Sequence, residues 1–122
     1  MGSEYTISVK TWRGNQIELL NACILTPAFN YKWIGLSTGF DSKIGESINT
    51  VKFDKLKNIQ FKEEGKSKAL MITNSGKTVD VTFDVSYNYE NLWLGGNWEK
   101  FGPSRIQIQK VASLEISKTV KQ

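Results

Sequence analysis

Apolar and polar positions alternate with a period of two along most of the chain. Tyr5, Ile7 and Val9 are interleaved with Thr6, Ser8 and Lys10, and the same rhythm resumes at Ile17-Glu18-Leu19 after the turn Arg13-Gly14-Asn15. Successive side chains of an extended strand point to opposite faces, so this pattern predicts half-buried β-strands. Further strands are predicted up to about Leu25, over Tyr31 to Phe40, at Val51-Lys52-Phe53 and Ile59-Gln60-Phe61, and over Ala69 to Thr73 and Thr78 to Tyr87. Trp93-Leu94, Ile106 to Ile108 and Leu114 to Ile116 complete the set. No segment holds a 3.6-residue apolar period for three turns, so no long helix is expected. Asp54 to Lys57 is the one candidate helical turn, with Asp54 as its cap.

The pattern also repeats. Residues 39–47 and 96–104 share the form Gly-x-x-x-Lys-apolar-Gly-x-Ser. The segment Val51 to Phe61 then matches Ile106 to Ile116 at every apolar position, and Lys55 matches Lys110. Trp33-Ile34-Gly35 parallels Trp93-Leu94-Gly95, and the hairpin at Gly14 parallels that at Gly76. The expectation is an all-β domain over 5–118, built from tandem copies at about 5–61 and 69–116, with short tails at 1–4 and 119–122. Each copy has too few strands to bury a face alone. Together they would form about 8–10 strands as a single barrel or sandwich.

The second copy, with its Gly loop, Ile-x-Ile strand, Lys-apolar bend and closing strand, resembles a group of small, uncharacterised bacterial accessory β domains. The resemblance covers about 20 residues per copy and implies a non-enzymatic domain, often exported or attached to a larger protein.

Composition narrows the chemistry. The 122 residues include no histidine and one cysteine, Cys23. A Ser-His-Asp or Cys-His triad, a zinc site of the usual Cys/His kind and an intrachain disulfide are therefore excluded within this chain. Neither a cofactor nor a metal site is expected. The net charge of +4 comes from lysine, since Arg13 and Arg105 are the only arginines. Lysines alternating with apolar residues, such as Lys52, Lys55, Lys57 and Lys62, describe a solvated sheet face. Specific nucleic-acid readers rely on arginine, so no nucleic-acid partner is expected. No run reaches the ~20 apolar residues of a spanning helix. Met1-Gly2-Ser3 has the look of an added start, and the expected location is extracytoplasmic in a bacterium.

Two groups of residues are candidates for a site. The Gly-Lys-apolar-Gly loops place Lys43 and Lys100 where backbone and ammonium can hold an anion, while Ile44 and Phe101 would plug the ends of a barrel. The aromatic stretch Tyr87 to Trp98 offers Trp98 and Tyr89 for stacking, with Asn91 and Asn97 to orient a ligand, and Trp12 as a second exposed ring. Trp33 and Trp93 are expected in the core, as is Cys23. Glycoside hydrolysis needs a carboxylate pair at a fixed separation across a cleft, and the sequence indicates neither for the loop carboxylates Asp41, Glu46, Glu63, Glu64, Glu90 and Glu99. The leading expectation is thus a non-catalytic module that binds a glycan or a protein through its aromatic loop. The alternatives are a structural domain that self-assembles through strand edges, and a barrel enclosing a small apolar ligand.

Overall fold

The structure, a computed structural model, describes residues 4–27, 33–37, 39–83 and 92–119, with residues 26, 27, 33–37, 39, 41 and 42 described by backbone alone. It is all-β and antiparallel. Among the described residues there are eleven strands: β1 Tyr5–Thr11, β2 Gln16–Pro27, β3 Trp33–Ser37, β4 Gly39–Ile44, β5 Ser47–Lys52, β6 Leu56–Phe61, β7 Lys68–Thr73, β8 Thr78–Thr82, β9 Trp93–Trp98, β10 Gly102–Gln107 and β11 Val111–Lys118. Single 3-10 turns at Phe53–Lys55 and Ile108–Lys110 link β5 to β6 and β10 to β11. Ten strands follow one hydrogen-bonded path, β10-β9-β2-β1-β11-β6-β7-β8-β4-β5, and β3 branches from β2. The path is not closed, because β10 and β5 are its ends.

Alternation explains the core. Ile7, Val9, Leu19, Ile59, Leu114 and Ile116 point to one face and are buried, whereas Ser8, Lys10, Glu18, Gln60 and Glu115 point to the other and are exposed. A relay of aromatic rings shows how far the sheet curls. Phe53 lies 6.0 Å from Tyr5 of β1 and 5.5 Å from Phe40 of β4, ring centre to ring centre. Five strand steps separate β1 from β4 along the path, or roughly 24 Å in a flat sheet at about 4.8 Å per step. The sheet therefore wraps over its apolar face. Strand β2 contributes a sharp bend: Asn21 has a φ of 52°, and the pairing with β9 shifts register between Leu20 and Cys23. Asparagine tolerates this left-handed conformation better than most residues. The bend lets β2 pair with β1 along its first half and with β9 and β3 along its second.

Both halves of the chain carry matching local geometry. The turns after β1 and β7 place Gly14 and Gly76 at φ 87° each. In each turn a threonine hydroxyl, of Thr11 or Thr73, accepts the amide of the residue four positions on, at 3.0 and 3.1 Å. The amide of Trp12 donates to the carbonyl of Lys110 (3.3 Å), and that of Asn74 donates to Lys55 (3.0 Å). β1 pairs with β11 through Ile7↔Ile116, Val9↔Leu114 and Thr11↔Val111. β7 pairs with β6 through Ala69↔Phe61, Met71↔Ile59 and Thr73↔Leu56.

Several expectations need correction. The 3-10 turn begins at Phe53 rather than Asp54, and no side chain caps it. Phe53 is fully buried and drives the turn inward. The run 39–47 is not a loop but most of the β4–β5 hairpin, closed by the two-residue turn Gly45-Glu46 with Gly45 at φ 60°. A glycine at the first of two turn positions suits the mirror-image turns that match strand twist. Phe101 plugs nothing: it is 69% exposed. Trp93 is half-buried, with the Arg105 guanidinium 5.9 Å from its ring centre; it faces away from the buried Leu94 beside it.

Cys23 is buried in β2, and burial pushes its thiol above the ordinary range, because the thiolate loses hydration there. A raised folded-state value favours the native protein below the unfolded thiol value and ceases to do so as pH rises through the folded one. We expect Cys23 to react with a thiol reagent at neutral pH many-fold more slowly in the native protein than in denaturant. Equal rates would place the thiol at the surface.

Candidate functional site

The polar face of β2, β1, β11 and β6 is hollowed into an open groove of about 550 Å³. Strand register builds its floor. Ser8 of β1 lies between Glu18 of β2 and Glu115 of β11, and Lys10 lies between Gln16 and Ser113. On the far side Ser113 meets Gln60 of β6, and Glu115 meets Asn58. Each of these side chains is the outward partner of a core residue, so the apolar alternation that buries Val9 and Leu114 also fixes the polar floor.

Trp98 walls this groove. It ends β9, and the turn that follows is closed by the Phe101 amide donating to the Trp98 carbonyl at 2.9 Å. The half-buried indole meets the exposed Phe101 ring edge-to-face, with ring centres 4.7 Å apart. The arrangement combines an aromatic surface with hydroxyl, amide and carboxylate groups on a rigid four-strand floor. Among the described residues, no ion pair joins Lys10 to Glu18 or Glu115, so these charged groups remain turned to the groove. The Oδ1 atom of Asn58 is buried without a hydrogen-bond partner at the groove's edge. A buried orphan acceptor costs about 1–3 kcal/mol.

The other expected site residues are dispersed. Asn97 precedes Trp98 in β9 and so faces the opposite side, exposed, with its backbone between Leu20 and Pro103. Trp12 lines a separate hollow of about 330 Å³ with Arg13, Glu64 and Lys110, and its indole Nε1 is buried and unpartnered. Lys43 is an exposed strand residue opposite Ile48, not a loop residue. Lys100 is exposed in the β9–β10 turn, so the two lysines occupy unlike positions. Tyr89 and Asn91 lie outside the described residues. The floor residues Ser8, Glu18, Gln60 and Glu115 escaped sequence reasoning. Their alternation marks them as outward, but only the pairing of β11 with both β1 and β6 brings them together.

Among the described residues no group of His, Cys, Asp and Glu is placed to hold a metal ion, and no helix is long and apolar enough to cross a membrane. Comparison of the chain with protein families, with curated proteins and with solved structures found no match.

Proposed function

We propose that this chain is a non-catalytic binding module and that the groove beneath Trp98 holds a glycan. The observation that carries this reading is the pairing of one half-exposed indole with a concave floor of polar side chains from four adjacent strands. A sugar ring presents an apolar C–H face and a rim of hydroxyl groups. The indole suits the face, while Glu18, Glu115, Gln16 and Gln60 suit the rim as acceptors and donors. Sites of this kind join aromatic surface to a few fixed polar groups.

A tandem origin for the two halves supports the assignment. The matched turns, cross-bonds and registers fit two copies about an approximate twofold axis at the Leu114↔Ile59 pair, wrapped into an incompletely closed barrel. On that basis Ile44 is the counterpart of Trp98, while Leu70 and Ile72 are the counterparts of Ser8 and Lys10. The wall and the middle of the floor thus differ between the halves, being aliphatic in the other one, while Glu18 and Gln16 keep polar counterparts in Asp80 and Thr78. Alignment by ladder pairs Phe40 with Leu94, both buried, where alignment by identity pairs Lys43 with Lys100.

The test is a glycan-array screen followed by calorimetry on the best hit. Trp98→Ala should weaken binding by about 1–3 kcal/mol, as for anchors elsewhere, or roughly 5- to 150-fold. Phe101→Ala should have a smaller effect. A protein that retains no glycan, or a Trp98→Ala variant that is folded and binds as tightly as the parent, would refute the assignment.

A further inference from the structure

Among the described residues the ten-strand path ends in β10 and β5, and these two end strands are built differently. β10 carries Pro103, which has no N–H to offer, followed by the exposed Arg105. Proline and charge are the usual means of stopping another strand from adding to an edge. β5 has neither device between Ser47 and Val51. In the ladder alignment of the two hairpins, Ile48 of β5 stands where Pro103 stands in β10. Ile48 is 64% exposed, and the strand is exposed on both faces from Ser47 to Thr50.

The sequence at this edge is also complementary to itself. Glu46-Ser-Ile-Asn-Thr-Val-Lys52 has one charge at each end, of opposite sign, and none between. Lay two copies antiparallel with Asn49 on the axis, and Glu46 of each copy faces Lys52 of the other. Ser47 then faces Val51, and Ile48 lies next to the dyad on both sides. A symmetric interface places a patch against itself, so like charges inside the segment would have repelled. Here the dyad produces two attractive pairs and no repulsive one.

We propose that β5 is a self-association edge: two copies of this chain join β5 to β5 antiparallel about Asn49, continuing the sheet across a twofold axis. Main-chain hydrogen bonds supply the attraction, and the Glu46–Lys52 pairs fix the register. The interface lies on the β4–β5 hairpin, whereas the groove is floored by β2, β1, β11 and β6, so a dimer would present two independent grooves.

Sedimentation velocity across a concentration series tests the proposal. The expected result is a shift from the 13.8 kDa monomer to a species of twice that mass. Ile48→Pro, which copies the opposite edge, should abolish the shift. Glu46→Lys and Lys52→Glu should each weaken association at least tenfold, and the Glu46→Lys/Lys52→Glu double variant should restore most of it. Circular dichroism of each variant confirms that the fold is kept, which is expected because all three positions are exposed. A monomer at every concentration overturns the proposal. So does a dimer that survives Ile48→Pro or ignores the charge reversals, since it would use another surface.

Discussion

Phe53→Ala is expected to be among the most damaging single substitutions in this domain. The side chain is fully buried and lies at the hub of the ring relay, between Tyr5 of β1 and Phe40 of β4. Phe40 continues the relay to Phe83 at 5.5 Å, and Phe83 continues it to Phe61 at 5.5 Å. Truncation removes the transfer free energy of the ring and leaves a cavity where the sheet curls over itself, at a cost of about 3–5 kcal/mol. A domain of this size has only about 5–15 kcal/mol to lose. At about 4 °C per kcal/mol, the expected fall in Tm is roughly 12–20 °C. Ile108 occupies the matching 3-10 turn and is equally buried, so Ile108→Ala should cost about 2–5 kcal/mol. Phe101→Ala, at an exposed tip, should stay within about 0.5 kcal/mol. Urea unfolding of the three variants measures all of this. A Phe53→Ala loss below about 1 kcal/mol would mean that the relay does not hold the curl.

The contrast between Phe53 and Phe101 shows what could be read from the sequence. Strands that bury one face left an alternating trace. Ile7-x-Val9, Ile59-x-Phe61 and Leu114-x-Ile116 carry that trace, and all six residues are buried in β1, β6 and β11. The β4–β5 hairpin left no such trace, because β5 is exposed on both faces over most of its length. Its glycines and serine therefore read as a loop. Residues 39–47 and 96–104 share Gly and Lys identities that set Lys43 against Lys100, whereas the two hairpin ladders put the buried Phe40 and Leu94 at matching positions. Phe101 shared its position in the motif with Ile44, yet the β9–β10 turn is one residue longer and swings the ring outward.

The candidate site divides along the same line. Trp98 stood out because its neighbours Gly96, Asn97, Glu99 and Lys100 are polar or small, which marks a surface position in any fold. Its partners did not stand out. Ser8 and Glu115 belong to opposite ends of the chain and meet only through the β1–β11 ladder. A polar residue on a strand reveals its face, but the identity of the neighbouring strand is a property of topology. Which strands offer an open edge was not legible either, because that depends on which strands end the path.

Gly96→Ala is the second substitution with a large expected effect, and its cause is the bend in β2. A Cβ at Gly96 would lie 2.8 Å from the carbonyl oxygen of Leu20 and 2.9 Å from Cβ of Leu19. Both atoms belong to the stretch that turns at Asn21, so neither yields without moving the β2 backbone. Gly95 differs, because its added Cβ would strike only the side chain of Leu25, which has other rotamers. Strain at Gly96 should cost about 1–3 kcal/mol net of repacking, against about 0.4–1 kcal/mol regained from a stiffer unfolded chain. Gly96→Val, with two further carbons at the same contact, should leave little folded protein. Gly14 provides the control: an added Cβ meets nothing within 4 Å there, and the demand is only for a φ of 87°. Asparagine adopts such angles more readily than other residues, so Gly14→Asn should remain close to the parent. Because Trp98 lies two residues beyond Gly96 in β9, the Gly96→Ala strain should also loosen the groove wall. Under the proposed glycan-binding role, affinity should then fall together with stability, whereas Gly14→Asn leaves both intact. Equal stability of Gly96→Ala and Gly14→Asn in urea would show that β2 and β9 do not approach as closely as the bend requires.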